Sequence, residues 1–261
     1  MVITSKDNDF VKHVKKLKEK KYREEYGEFI VEGIKMIEEA ILENATIKTI
    51  VVCEDCKAQG GIPNDLLYEI AKYNCIYVNE KVFNAMTDVS NPQGILAIID
   101  KSNNKETEIN FNEELFLILD NIQDPGNMGT ILRTADSINL KQILVSKGTS
   151  DPYNPKVVRS TMGAIFRVKV IECESLPKTI KELKKHKIKI YATDLKTDKS
   201  IYDVDYKKAA VVIGNEANGV TEEVLDLADT RIKIPMKGKT ESLNAAVATG
   251  VILYEAVRQN M

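Results

Sequence analysis

The chain has 261 residues, of which 43% are hydrophobic and 29% charged, with seven prolines and a formal net charge of −2. This composition is typical of a globular protein, and the length suffices for one large domain or two ordinary ones. The small negative charge excludes a protein-wide attraction to nucleic acid, so any RNA affinity must come from local basic patches. Apolar runs fall short of about 18 residues and residues 1–6 lack a secretory-signal pattern, so we predict a cytoplasmic protein with no membrane partner.

The first hundred residues alternate between helical and extended patterns, which predicts a small α/β domain. The predicted elements, in chain order, are a Lys-rich helix at 12–23, an amphipathic helix through Ile34, Ile37 and Ile41, a strand at 49–53, a helix at 66–71, and strands at 76–78 and 94–99. The following segment, 101–108, is polar and without apolar periodicity, as in an exposed linker. We therefore predict a first domain at 1–101, a linker at 102–112 and a second domain at 113–261.

The second half of the chain contains continuous apolar runs separated by helix-like segments. Such runs are expected of parallel strands that are covered on both faces. They lie at 115–119, 142–145, 168–171, 188–192 and 209–213. The sequence thus predicts an α/β domain with a mostly parallel sheet and helices on both sides.

Three short segments follow apolar runs at points where a new helix is expected. They are residues 127–135, 213–216 and 242–246. Open α/β sheets place ligand-binding loops at the carboxyl ends of their strands, so we expect these three segments to converge on one pocket.

Residue spacing alone leaves two interpretations for each of these segments. Arg133 points away from the apolar stripe of its helix, so it is either a solvated surface arginine or a cation that helps a helix start to bind phosphate. Residues 214–219 resemble half of a dinucleotide fingerprint but also suit a simple turn before a helix. Ser242 is well placed to cap the last helix, with Asn244 in its first turn.

The last helix, at 243–257, is too apolar all round for a free surface helix. It is expected to be deeply buried or packed in a subunit interface.

No metal site is predicted. Cys53 and Cys56 have a zinc-like local spacing, but only Cys75 lies near them in sequence, and a structural zinc site needs four ligands. His13 and His186 are isolated, and the four cysteines are expected to be free thiols.

Taken as an ordered set, the three segments resemble the motifs of the SpoU (TrmH-like) branch of the SPOUT RNA methyltransferases. Residues 127–135, with the pattern Asn-x-Gly-x-x-x-Arg-Thr-Ala, are similar to the first motif. Residues 214–216 are similar to the second motif, and residues 234–244 to the third. Residues 160–167 and 91–94 add to the resemblance, which therefore spans nearly the whole chain.

The resemblance implies an enzyme that transfers a methyl group from S-adenosylmethionine to a ribose 2′-hydroxyl of RNA, with 23S ribosomal RNA as the first choice. It implies that the second domain forms a deep trefoil knot and a homodimer near the knot. The first domain would be an L30e-like substrate-binding domain that grips RNA, and the Lys-rich stretch at 12–23 would add attraction to phosphate.

The resemblance also implies two groups of site residues. The reaction site would be lined by Asn127, Arg133, Glu216, Ser242 and Asn244. The cofactor would be held by Gly214, Asn215, Ile234, Met236, Leu243 and Ala245.

A guanidinium stays protonated in proteins, so we favour Arg133 as a phosphate clamp or oxyanion stabiliser over a general base. Ser242 and Asn244 would position the ribose, and Glu216 would orient Arg133 or the RNA.

Three alternatives remain open at this point. The RNA could be transfer RNA, or the chain could be a non-catalytic RNA-binding protein with the same fold. A nucleotide-dependent oxidoreductase is disfavoured because no complete Gly-x-Gly-x-x-Gly follows an early strand.

Overall fold

A computed structural model describes residues 2–55, 61–102 and 104–260. The chain divides into two compact units. The first comprises Met1–Ser102 and Tyr153–Phe166, and the second comprises Asn103–Pro152 and Arg167–Met261.

The secondary-structure elements alternate along the chain. The strands are β1 (Val2–Ile3), β2 (Glu28–Glu32), β3 (Ile47–Cys53), β4 (Cys75–Val78), β5 (Ile95–Asp100), β6 (Leu115–Asp120), β7 (Gln142–Ser146), β8 (Lys169–Cys173), β9 (Lys189–Thr193), β10 (Ala209–Gly214) and β11 (Thr230–Ile232). The α-helices are α1 (Asp9–Lys16), α2 (Lys20–Tyr26), α3 (Ile34–Leu42), α4 (Asn64–Ile70), α5 (Glu80–Met86), α6 (Pro125–Ser137), α7 (Pro155–Thr161), α8 (Leu176–Lys185), α9 (Glu222–Leu225) and α10 (Ala245–Gln259). Short 3₁₀ turns occupy Glu106–Glu108, Ala164–Phe166 and Ile201–Asp203.

The first unit is built on a five-stranded sheet in the order β1-β4-β3-β5-β2. β5 pairs antiparallel with both β2 and β3, whereas β4 pairs parallel with β1 and β3. Helices α1 and α5 pack together over one part of this sheet, and their buried side chains include Val11, Val14 and Phe83. The α/β class predicted for the first domain is confirmed.

The Lys-rich stretch at 12–23 is two helices and not the single helix that the sequence predicts. α1 ends at Lys16 and α2 begins at Lys20. The buried Arg23 side chain explains the break, because its guanidinium donates to the carbonyl oxygens of Leu17 and Lys18 at 2.8 and 2.7 Å. It thereby satisfies carbonyl groups that the end of a helix leaves without backbone partners.

The segment Tyr153–Phe166 belongs to the first unit although it comes from the second half of the chain. Its two terminal aromatic rings lie beside the buried Phe29, with ring centroids 4.8 Å away for Tyr153 and 6.4 Å away for Phe166. The Tyr153 hydroxyl also donates to the carbonyl of Ser102 at 3.2 Å. These aromatic contacts give the segment a buried place in the first unit.

The second unit contains a six-stranded sheet in the order β11-β9-β10-β6-β7-β8, with every neighbouring pair parallel. Its central strands β6 and β10 are buried on both faces, as the continuous apolar runs predict, and the prediction of a parallel α/β sheet is confirmed. Part of the predicted linker folds onto this unit. Ile109 is buried in its core, and the Asn110 backbone exchanges two hydrogen bonds with the Gln142 side chain.

No helix in the described part of the chain is long and apolar enough to cross a membrane. Among residues 2–55, 61–102 and 104–260, no group of His, Cys, Asp and Glu is arranged to hold a metal ion. Cys75 and Cys173 are free thiols as expected, but the expectation is wrong for Cys53, which is disulfide-bonded. The predicted free thiol at Cys56 lies outside the described residues.

Candidate active site

The site lies at the carboxyl edge of the parallel sheet in the second unit. β6 and β10 are parallel neighbours whose last residues, Asp120 and Gly214, are in register. The loops that follow them must therefore leave the sheet side by side. The first loop leads into α6, where the Asp124 side chain caps the helix by accepting from the Asn127 amide at 2.8 Å. This cap fixes Asn127 in the first turn of α6.

Gly214 permits the loop after β10 to fold back on itself. Residues Asn215 and Gly219 exchange two backbone hydrogen bonds of 2.9 Å. A Cβ atom at Gly214 would lie 2.1 Å from the Gly219 carbonyl carbon and from the Val220 nitrogen. Only glycine fits this close backbone approach.

The Asn215 side chain holds the loop in shape. Its Oδ1 accepts from the backbone amides of Ala217 and Asn218 at 2.9 and 3.1 Å, and its Nδ2 donates to the Asn121 carbonyl at 2.9 Å. The side chain is nearly fully buried. Asn215 lies at the site that the sequence predicts, and both polar atoms of its side chain form hydrogen bonds to backbone groups of the protein.

A chain of side-chain hydrogen bonds joins the three predicted segments. Asn127 Nδ2 donates to Glu216 Oε1 at 2.6 Å, and Asn244 Nδ2 donates to Asn127 Oδ1 at 2.8 Å. Asn244 Oδ1 in turn accepts from the backbone amides of Ala246 and Val247, so its amide orientation is set by the start of α10. The protein thus holds one Glu216 carboxylate oxygen through Asn127, and Asn244 in turn holds Asn127.

The expectation that Ser242 caps the last helix is wrong. Asn244 is the N-cap residue, and α10 begins at Ala245. Ser242 is exposed and makes no hydrogen bond within the described part of the chain, so its hydroxyl is available to a ligand. Asn244 itself still has an extended backbone, with φ of −53° and ψ of 142°, and the helix begins only at the next residue. Ser242 therefore lies too far before the helix to be its N-cap residue.

A cavity of about 480 Å³ opens beside this hydrogen-bond chain. Nine of the predicted site residues line it: Gly214, Asn215, Glu216, Ile234, Met236, Ser242, Leu243, Asn244 and Ala245. This volume lies within the range of ordinary small-molecule sites. The lining combines an apolar wall with polar groups from the loops, which suits a ligand that has both an aromatic and a charged part.

One wall of the cavity is formed by residues that were not predicted from the sequence. Residues 193–196 line it, and Leu195 in this loop is exposed although it is a large apolar residue. The loop follows β9, which the sequence analysis placed at 188–192. This loop could have been predicted in the same way as the others, because it also follows the carboxyl end of a strand in the parallel sheet.

Arg133 lies outside the cavity lining, on the exposed side of α6. Its guanidinium has no hydrogen bond or ion pair with any residue that the structure describes. Asp136, three residues further on the same helix, is instead bound by Arg167 through both carboxylate oxygens at 2.9–3.1 Å. The cation of Arg133 is therefore left available to an anion from outside the protein.

Comparisons with known proteins cover both parts of the chain. The SpoU rRNA Methylase family model matches residues 114–254, and the MRM3-like substrate binding domain model matches residues 8–97. The 23S rRNA (guanosine(2553)-2'-O)-methyltransferase RlmP of Bacillus subtilis is 34% identical over 253 residues, which are 97% of this chain and 97% of that protein.

Two solved structures share the fold over almost all of the chain. The AdoMet-bound rRNA methyltransferase from Sinorhizobium meliloti has a TM-score of 0.89 at 30% identity, covering 100% of this chain and 98% of that one. The SpoU methyltransferase AviRb from Streptomyces viridochromogenes, in complex with AdoMet, has a TM-score of 0.86 at 26% identity, covering 97% and 98%.

Proposed function

Because this chain belongs to the SpoU rRNA methylase family, we propose that it methylates a ribose 2′-hydroxyl of 23S ribosomal RNA with S-adenosylmethionine as the methyl donor. The observation that carries the proposal is the hydrogen-bond chain of Asn127, Glu216 and Asn244, of which Glu216 and Asn244 line a ligand-sized cavity. The relative from Bacillus subtilis is named for 2'-O-methylation of 23S rRNA, and both solved neighbours bind AdoMet.

The residues present fit S-adenosylmethionine. Apolar side chains of Ile213, Ile234 and Leu243 line one part of the cavity and would receive the adenine. Gly214, Asn215, Met236 and Ala245 complete the predicted cofactor set on the same cavity. When bound, the cofactor supplies an activated methyl group on a sulfonium ion. The protein's own task is to align the ribose oxygen with that methyl group and to ease loss of its proton.

The side chains around the cavity divide this task. Arg133 carries a permanent positive charge that can bind an RNA phosphate or stabilise the charge that develops on the ribose oxygen. Asn127 holds the Glu216 carboxylate at 2.6 Å and thereby limits its orientations. Ser242 presents a hydroxyl without a partner among the described residues, and Asn244 fixes the start of α10. We infer that these two residues position the ribose.

The trefoil knot and the homodimer belong to the same proposal. A knot would bring together elements that the structure has in contact: α10 packs on α6, and the segment before α10 lines the cavity together with the loops after β9 and β10. The homodimer is supported by Val247 and Tyr254, large side chains of α10 that are about half exposed. A second copy of the chain would cover them. The cytoplasmic location and the domain limits stay predictions.

Two measurements test the proposed function. Calorimetry with S-adenosylmethionine measures cofactor binding, and tritium-methyl transfer to ribosomal RNA measures the reaction. Mapping of 2′-O-methyl positions in RNA from cells with and without the gene then identifies the nucleotide. Absence of cofactor binding, or methylation confined to transfer RNA, would contradict the proposal.

A further inference from the structure

The first unit carries a concentrated positive segment in a chain that is negative as a whole. Residues 12–23 contain seven Lys and Arg residues and one Glu, whereas the net charge of the chain is −2. A local charge of this size attracts polyanions even where the protein-wide field does not. The segment forms α1 and the start of α2.

Three of these cations have no counter-charge among the residues that the structure describes. Four of the seven are engaged: Arg23 is buried on backbone carbonyls, and Lys12, Lys18 and Lys20 form ion pairs with Asp9, Asp88 and Glu24. Lys15, Lys16 and Lys21 are exposed and have no carboxylate within 4.0 Å among the residues that the structure describes. An external anion could therefore pair with them without first breaking an ion pair.

Aromatic rings lie directly among these free lysines. The Nζ atoms of Lys16 and Lys21 lie 5.2 and 5.5 Å from the centroid of the Tyr22 ring. Tyr22 and Tyr26, one turn apart on α2, have nearly parallel rings with centroids 6.1 Å apart, and the His13 ring lies 4.8 Å from Tyr26. This strip of rings and cations, which we call the α1–α2 face, runs across two helices.

We propose that the α1–α2 face binds an unpaired segment of the RNA substrate, with a base stacked on Tyr22 and flanking phosphates bound by Lys16 and Lys21. The inference deepens the proposed function and rests on it for the choice of RNA as the polyanion. Single-stranded nucleic acid needs an aromatic platform for its bases and nearby cations for its backbone, and this face supplies both. A base-paired duplex could use only the cations, because its bases are already stacked.

The aromatic contribution is tested with Tyr22→Leu, which keeps apolar packing on the helix but removes the aromatic face. The probe is a fluorescein-labelled single-stranded oligouridylate, titrated with the full chain at fixed salt concentration. The variant is expected to raise the dissociation constant about five- to 150-fold, the usual loss for one stacked base. Its dissociation constant for an RNA duplex of equal length should not change.

Tyr68→Leu is the matched control, because Tyr68 is a tyrosine on another helix of the first unit, α4, and its ring is exposed. It should bind the oligouridylate like the wild type. Unchanged binding in Tyr22→Leu, or equal weakening in both variants, overturns the stacking role.

The cationic contribution is tested with the double variant Lys16→Gln and Lys21→Gln, whose side chains are exposed, so folding should be retained. Loss of two phosphate contacts should reduce the slope of log affinity against log salt by about 1.4 for single strands. Lys72→Gln, at an exposed lysine that is paired with Glu69, should leave the slope unchanged. A wild-type slope in the double variant overturns the phosphate contacts.

The proposed function is tested separately by methyl transfer from S-adenosylmethionine to ribosomal RNA by the wild-type chain. If transfer occurs and Tyr22→Leu binds the oligouridylate normally, only the α1–α2 face is refuted. If transfer fails while Tyr22→Leu still weakens binding, the proposed function is refuted and the face is retained as an RNA-binding surface.

Discussion

Replacing Gly214 with alanine should disable the candidate active site, because the added Cβ has no room. It would lie 2.1 Å from backbone atoms of Gly219 and Val220, where ordinary contacts begin at 3.4 Å. One of the two backbone segments must therefore move by about 1.3 Å, the difference between the two distances. Both segments line the cavity, so either movement changes its shape.

The size of the loss in activity or stability depends on which backbone segment moves to relieve the clash. If the loop at 215–219 moves, the Glu216 carboxylate is displaced from Asn127, and a shift of about 1 Å at a reacting group can cost about a hundredfold in rate. If the backbone instead resists, overpacking destabilises the fold by about 1–3 kcal/mol. We expect weaker binding of S-adenosylmethionine and about a hundredfold loss of methyl transfer, with at most a moderate drop in the thermal midpoint.

The assay compares calorimetric binding of S-adenosylmethionine with the initial rate of tritium-methyl transfer to ribosomal RNA. Gly238→Ala is the matched control, since a Cβ there has nothing within 4 Å and Gly238 does not line the cavity. It should behave as the wild type in both assays. Wild-type cofactor affinity and turnover in Gly214→Ala would refute the reasoning about the close backbone approach.

Three further predictions concern charged side chains of the second unit. Arg133→Ala should lower methyl transfer by about 10²–10³-fold while sparing binding of S-adenosylmethionine by calorimetry, and unchanged turnover would remove Arg133 from the mechanism. Arg167→Ala should free Asp136 to pair with Arg133 at i,i+3 spacing and lower the initial rate about 1.4- to 2.3-fold, the rate equivalent of such a pair; adding Asp136→Asn should restore it, and failure of that rescue would refute the competition. The hydrogen-bonded Arg258 lowers the pKa of Glu255 to about 2 from 4.5, so the stabilisation by the ionised carboxylate is fully present above about pH 4.5 and is lost as the pH falls toward 2. The difference in thermal midpoint between wild type and Glu255→Gln should therefore shrink over that pH range, and a constant difference would contradict the lowered pKa.

The sequence by itself determined the parallel sheet of the second unit and the strand ends at which its candidate site lies. Strand runs such as 115–119 and 209–213 are continuous apolar stretches, and burial on both faces requires this pattern locally. The segments at 127–135 and 213–216 could be found because each lies at the carboxyl end of such a run. The family resemblance added which small molecule and which reaction those loops would serve.

Only the tertiary structure decided which side chains meet and which do not. Asn127 and Glu216 are 89 residues apart in sequence, yet their side chains are 2.6 Å apart because β6 and β10 are neighbours in the sheet. Pair contacts of this kind depend on strand order, which no local pattern encodes. The sequence likewise did not show that α10 begins at Ala245, which makes Asn244 and not Ser242 the N-cap residue.

In the first unit, too, some features follow from the sequence and others only from the tertiary structure. The sequence identified a Lys-rich helical stretch, but its division into α1 and α2 depends on the buried Arg23. The alignment of Lys16 and Lys21 on the ring of Tyr22 follows from that division, because the two helices bring these side chains together. Local composition therefore established that the charge was present, and only tertiary packing decided which cations were neutralised and which face of the domain was left to bind a partner.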